Sequence, residues 1–283
     1  MEVKSNVTVI IPCFNDGAYI IEALNSVLNQ TLKPEKVIIV DDGSDAKTKQ
    51  IIESIDFKAV EIIFQKNKGV SSARNKAVSL AKTEFILNLD ADDYFDLTFI
   101  EKAVDVLNNN SKIAAVGCYA KTLKNNKLKS EIRKPLGGSI KNFLIRNNLS
   151  ANSMFRKECW EKAGGYDEQM TSGYEDWEFW ISILKNNWES HVIKEPLFIY
   201  RIKNNSRDAN ALKRYDFKLR RYIFDKHKEL FLNHYEFCIT QLLRDNSVLR
   251  ADKIKTKDSL DYKIGNLLLK PLRVLKGIIS NKE

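Results

Sequence analysis

Between Val7 and Tyr119 the chain alternates short runs of β-branched and apolar residues with longer amphipathic stretches. Val7–Ile11 (VTVII), Val37–Val40 (VIIV), Val60–Phe64, Phe85–Leu89 and Ile113–Tyr119 read as strands. Ala18–Asn29, Thr48–Ile55, Ser71–Ala81 and Leu97–Leu107 carry apolar residues at helical spacing. This alternation predicts an α/β fold: a Rossmann-like, mainly parallel sheet flanked by helices. A length of 283 residues allows one large domain with an appendage.

The second half follows a different pattern. Lys121–Gly138 is polar and basic, and reads as a loop or an edge hairpin. Ala151–Arg156 reads as a strand, and Lys157–Ala163 as a short helix ended by Gly164 and Gly165. Asp176–Asn186 is helical, with Trp177, Trp180, Ile181 and Leu184 as its apolar stripe. Leu197–Ile202 is a further strand, and the chain reads as helical from Arg207 to about Leu249. Residues 251–262 are polar and linker-like, and an apolar, basic tail follows that Pro271 would kink. The expected division is an α/β domain over 1–206, a C-terminal helical extension over 207–250 and a basic amphipathic tail over 251–283.

Charge separates these parts. Residues 1–200 carry 26 Lys+Arg against 27 Asp+Glu, and residues 201–283 carry 20 against 10. A basic tail suits an anionic partner, or is simply a solvated helical face. Its apolar runs are too short to span a bilayer. Two readings stand: it lies on an anionic membrane surface, or it packs on the body of the protein. No nucleic-acid-binding motif accompanies the charge, so no nucleic-acid partner is expected. Four scattered cysteines form no CxxC pair and Met1–Asn6 has no signal-peptide core. The thiols are expected to be reduced, zinc absent, and the protein cytoplasmic, with peripheral contact at the inner face of the cell membrane open.

Ligands of open α/β sheets bind beyond the carboxyl ends of the strands. Here those ends run into Pro12-Cys13-Phe14-Asn15-Asp16, Asp41-Asp42-Gly43-Ser44-Asp45, Asn67-Lys68-Gly69 and Asp90-Ala91-Asp92-Asp93. Crowded carboxylates repel, and a hard divalent cation such as Mn²⁺ or Mg²⁺ would offset that repulsion. Asp45 and Asp96 stand near helix starts and read as caps or turn formers. Phosphate-loop, dinucleotide-binding and GxSxG signatures are missing, which excludes those enzyme classes.

Four segments, in order, resemble glycosyltransferase family 2, whose members have the GT-A fold. They are VTVIIPCFND, VIIVDDGSD, NKGVSSARNKAVSLAKTEFILNLDADD and GGYDEQMTSGYEDWEFW. The resemblance covers about residues 5–207. It implies an inverting, metal-dependent transfer from a nucleotide-sugar donor, most often a UDP-sugar, to a glycan or lipid-linked acceptor. On this resemblance Asp42 hydrogen-bonds the nucleobase and Pro12 lines the base pocket. Asp90 contacts the ribose or sugar, Asp92 holds the metal, and Arg74 steadies the donor or orients the acidic segment. Gly164 and Gly165 let backbone approach the donor sugar. Asp176 is the catalytic base, with Glu175 beside it. Trp177 and Trp180 either stack on acceptor sugars or belong to the core.

One position departs from the family. Relatives carry a histidine after a late Tyr-Arg pair; here Tyr200-Arg201-Ile202 is followed by Lys203, then Asn204, Asn205 and Ser206. A protonated lysine cannot ligate metal, so Lys203 is expected to contact the diphosphate directly and metal affinity to be weaker. Two other readings remain: nucleotidyl transfer to a sugar phosphate, for which PCFNDG is a poor phosphate loop, and a non-catalytic sugar- or lipid-binding module.

Overall fold

The computed structural model describes residues 5–203 and 211–280, with backbone alone from 271 onward. Asn204, Asn205, Ser206 and the expected helix start at Arg207 lie outside the described residues. The chain forms two compact units, Met1–Leu232 and Asn233–Glu283.

The first unit is built on a nine-stranded sheet. Strands β1 (Val7–Cys13), β2 (Lys36–Asp41), β3 (Val60–Phe64) and β4 (Phe85–Asn88) pair in parallel, in the order β3-β2-β1-β4. The order continues through β8 (Met154–Arg156), β6 (Ile113–Lys124), β9 (Glu189–Ile202) and the two-residue β5 (Tyr94–Phe95). β7 (Lys127–Arg133) pairs with β6. Side chains alternate across a strand, so both faces of the inner strands are apolar. Val7, Val9 and Ile11 face one core with helices α1 (Ile20–Leu28) and α4 (Phe99–Asn109). Ile10, Ile38 and Ile86 face the other, with α3 (Val70–Leu80), α5 (Lys157–Ala163) and α6 (Glu175–Leu184). α2 (Ala46–Glu53) starts at Asp45, whose side chain accepts from Thr48 N at 2.8 Å, as its capping position implied.

The basic segment takes one of its two expected forms and two other elements differ from expectation, each for a local reason. Asn125 and Asn126 both take positive φ (51° and 56°), giving a two-residue turn, so the basic segment is a hairpin. β9 is much longer than its apolar end, because its polar first half pairs in parallel with β6. Residues 251–258, read as linker, continue a helix: their lysines and aspartates are exposed, and a helix can be polar all round.

Trp180 is fully buried, with its ring 6.2 Å from that of Phe155, and so belongs to the core. Helix α7 (Asp216–Lys226) follows the short π-helical turn Ala211–Tyr215. Its end is stapled to α6 through buried Glu178, which lies 2.9 Å from both Lys226 Nζ and His227 Nε2. Burial opposes the Glu178 charge, but these partners and Ser182 hold its pKa below the ordinary value. After α8 (Lys228–Asn233) come α9 (Tyr235–Asp258) and α10 (Leu260–Ser280). No helix among the described residues is long and apolar enough to cross a membrane.

Candidate active site

The register of the parallel strands brings their carboxyl ends together. Pro12 lies opposite Val40 and Cys13 opposite Asp41, while Asp42 N donates to Cys13 O at 2.8 Å. A cleft opens beyond these ends, lined by Pro12, Asp42, Gly69, Arg74, Asp92 and Lys203 among others.

Asp42 is buried, and its carboxylate is already engaged. It accepts from Gln65 Nε2, Lys68 N and Gly69 N, each at 2.8 Å. It therefore holds the loop that leads into α3, and a nucleobase would share its oxygens with that loop. Gly69, at φ 90°, opens α3, so the positive end of the helix dipole lies at the cleft.

Arg74, 1% exposed, donates from Nη2 to Asp90 at 2.8 Å and from Nη1 to Glu175 at 3.0 Å. The two carboxylates outweigh burial and keep the guanidinium charged. Glu175, buried beside Arg74, and Asp176, half-buried in the first turn of α6, do not line this cleft but an adjoining one. Asn147 Nδ2 donates to Asp176 Oδ2 at 2.8 Å and orients it. Through Arg74, Glu175 ties the first turn of α6 to α3.

The acidic segment after β4 is tied to the end of β9. Arg201 N donates to Asp93 Oδ1 at 2.7 Å, and Arg201 Nε to the Asp92 carbonyl at 2.9 Å. Asn152 accepts from Asp90 N at 2.6 Å and donates to Asp90 Oδ2 at 3.1 Å. Burial, followed by the neighbouring Asp92 and Asp90 charges, pushes the Asp93 carboxyl well above the usual aspartate range. Burial also raises Asp92, against the hydrogen bond from Lys203. Lys203 Nζ sits 2.6 Å from Asp16 Oδ1 and 2.7 Å from Asp92 Oδ2. Burial works against its charge, but these bonds hold its pKa above the ordinary lysine value.

This donor set does not fit a resident divalent cation. Among the described residues no group of three or more His, Cys, Asp or Glu side chains could hold one. Asp92 is shared with the Lys203 ammonium and Asp90 with Arg74. A dication on the same Asp92 carboxylate would lie a few ångströms from a fixed positive charge and be repelled. Asp92, expected to hold a metal, is here the partner of the Lys203 ammonium.

Gly165 packs closely against the protein's own side chains. At φ 83° it packs where a Cβ would lie 2.8 Å from Asn75 Oδ1, and it lines neither cleft described here. It allows Asn75 to bond Tyr166 at both N and O. A second cleft adjoins the first and shares Arg74, Asp90 and Tyr200 with it. Asp176, Trp177 and Asn147 line it, with Arg133, Lys134 and Arg220 among its cationic residues. Trp177 is 4% exposed, donates from Nε1 to Phe143 O at 2.6 Å and has the Arg220 guanidinium over its ring, 5.0 Å from the centroid.

The model of the family described as Glycosyl transferase family 2 matches residues 8–163. The chain belongs to glycosyl transferase family 2. It is a glycosyltransferase, and the family match takes in Pro12, Asp42, Arg74, Asp90 and Asp92, while Asp176 and Lys203 lie beyond it. An uncharacterized glycosyltransferase of Methanocaldococcus jannaschii is 30% identical over 244 residues, covering 83% of this family 2 chain and 82% of the relative. The putative teichuronic acid biosynthesis glycosyltransferase TuaG of Bacillus subtilis is 28% identical over 214 residues, covering 74% and 84%. In solved form, S. aureus TarS 1-349 in complex with UDP-GlcNAc is similar with a TM-score of 0.61 and 22% identity. That likeness spans 72% of this chain and 61% of the TarS chain, and the shared fold is the GT-A type.

Asp93, Asn152, Arg201 and Asn147 were not among the residues expected in the site. Asp93 could be read from the acidic run. The two asparagines stand in a polar stretch with no pattern, and only the folded sheet brings them to the cleft.

Proposed function

We propose that this family 2 enzyme transfers a sugar, with inversion, from a nucleotide-diphosphate sugar of the UDP class to a glycan or lipid-linked acceptor in the building of surface polysaccharide. The observation that carries the reading is the meeting of two clefts at Arg74, Asp90 and Tyr200. A donor in the cleft of Asp42 and Asp90 would present its anomeric carbon towards the cleft of Asp176. Asp176 takes the proton of the acceptor hydroxyl as that oxygen attacks, and the nucleoside diphosphate leaves from the opposite face. The α3 N-terminus favours the anionic diphosphate. The TarS structures with UDP and UDP-GlcNAc support a donor of this kind, and the TuaG and chondroitin synthase names support a polysaccharide product. Arg133, Lys134 and Arg220 favour an acceptor that carries anionic groups.

Donor hydrolysis across UDP-, GDP- and dTDP-sugars, followed by transfer to neutral and uronate acceptors, tests this. One donor class should be turned over, with uronate acceptors preferred. A chain that neither binds nor hydrolyses any nucleotide sugar would sink the reading.

The unit Asn233–Glu283 supports peripheral membrane contact. Leu260, Leu267 and Leu268 are exposed on α10, beside Lys263 and Lys270. The full chain should float with anionic vesicles, and a chain ended at Leu232 should not. Equal flotation of both would remove this role.

A further inference from the structure

We propose that Lys203 is the counter-ion for the departing nucleoside diphosphate, so that this chain transfers its sugar without a divalent metal. The inference rests on the nucleotide-sugar reading above. Three observations lead to it.

The first is placement. Lys203 follows β9 directly, and the strand end is fixed to the acidic segment by the Arg201 bonds to Asp93 and to the Asp92 carbonyl. The lysine is therefore delivered to the cleft by a sheet edge, and its side chain remains 34% exposed there.

The second is anchoring. The ammonium is held between Asp16 at 2.6 Å and Asp92 at 2.7 Å. An ammonium has three donor hydrogens. Two are taken by these carboxylates, which leaves one for a phosphoryl oxygen. Lysine binds phosphate as a compact point charge.

The third is exclusion. The same Asp92 carboxylate would be a dication's anchor, and Lys203 already occupies it. The paired carboxylates position the ammonium and weaken its pull on a resting diphosphate. As the bond from the anomeric carbon to the β-phosphoryl oxygen breaks, that oxygen takes the electron pair and competes better for the ammonium. Stabilisation that grows along the reaction is what accelerates it. Lys203 donates a hydrogen bond and keeps its proton. The acceptor oxygen forms the new bond to the anomeric carbon, and its proton goes to Asp176.

The test is calorimetric binding of UDP, GDP and dTDP, with turnover of the matching donor, in EDTA and in Mn²⁺. The chain as it stands should bind its nucleotide and turn over its donor equally well in both. Lys203→Met should weaken nucleotide binding about 10–100-fold in both buffers, the range expected for a lost charge-assisted hydrogen bond. Lys203→His should recover binding in Mn²⁺ alone, because an imidazole ligates metal and an ammonium does not. A natural chain that needs Mn²⁺ to bind or turn over would overturn the inference and leave the donor reading standing. Unchanged binding by Lys203→Met in EDTA would overturn it too. Failure of every nucleoside diphosphate to bind in either buffer would remove the donor reading, and this inference with it.

Discussion

Asp176→Asn should bind its nucleotide-sugar donor as tightly as the natural chain and transfer the sugar about 10²–10⁴-fold more slowly, the usual contribution of general-base catalysis. The exchange keeps shape and removes basicity. The Asn147 Nδ2 that donates to Asp176 Oδ2 at 2.8 Å can donate to an asparagine carbonyl in the same place. Asp176 also lies outside the cleft that holds Asp42, so donor affinity has no reason to change. Single-turnover transfer alongside calorimetric donor binding separates the two effects. A variant within about threefold of the natural rate would take the base role from Asp176.

Arg74→Leu should cost about 3–5 kcal/mol of stability, the range for breaking a buried ion pair by removing one partner. Arg74 is 1% exposed and serves two carboxylates, one of them on Glu175, itself 2% exposed. Leucine replaces the volume and takes from buried Glu175 the guanidinium that it pairs with. For a unit of this size the melting temperature should fall by about 6–20 °C. Adding Glu175→Gln should recover part of the loss, because the buried carboxylate that faced the guanidinium is then neutral. A double variant no more stable than the single one would mean that the cost comes from packing and not from the ion triad. Arg74→Lys should lie between, since one ammonium lacks the fork that reaches Asp90 and Glu175 together.

Most of the parallel half of the fold was legible because its signal is local. β1, β2 and β4 are apolar on both faces, and α1, α3 and α4 carry one-sided patterns, so each of these elements declares itself within a few residues. Lys157–Ala163 was legible at its C-terminal end through Gly164, which takes φ 79° there. β7 and the first half of β9 were obscure. One is exposed along nearly its whole length, and the other alternates buried and charged residues irregularly across register shifts against β6. Within the site, Asp42, Asp90 and Asp92 could be found because each follows a strand. Their partners could not. That Asp42 would be filled by Gln65, Lys68 and Gly69, or that Asp92 would share a lysine with Asp16, depends on pairing between distant segments. At Gly165 the resemblance implied an approach to the donor sugar, and the close approach in the fold is to Asn75.

The sequence distances across the cleft bear on the order in which it comes into being. Lys203 reaches back 187 positions to Asp16, Arg201 reaches back 108 to Asp93, and Glu175 reaches back 101 to Arg74. On a ribosome the acidic edge and Arg74 emerge first, and Arg201 and Lys203 last. A nascent chain that has just completed α5 owns every carboxylate of the nucleotide cleft and lacks the lysine and arginine that close it. Such long closures pay their entropy before the contacts repay it. The cleft is therefore among the last parts of the first unit to lock, and a product stopped early carries a repelling ring of aspartates in place of a binding site.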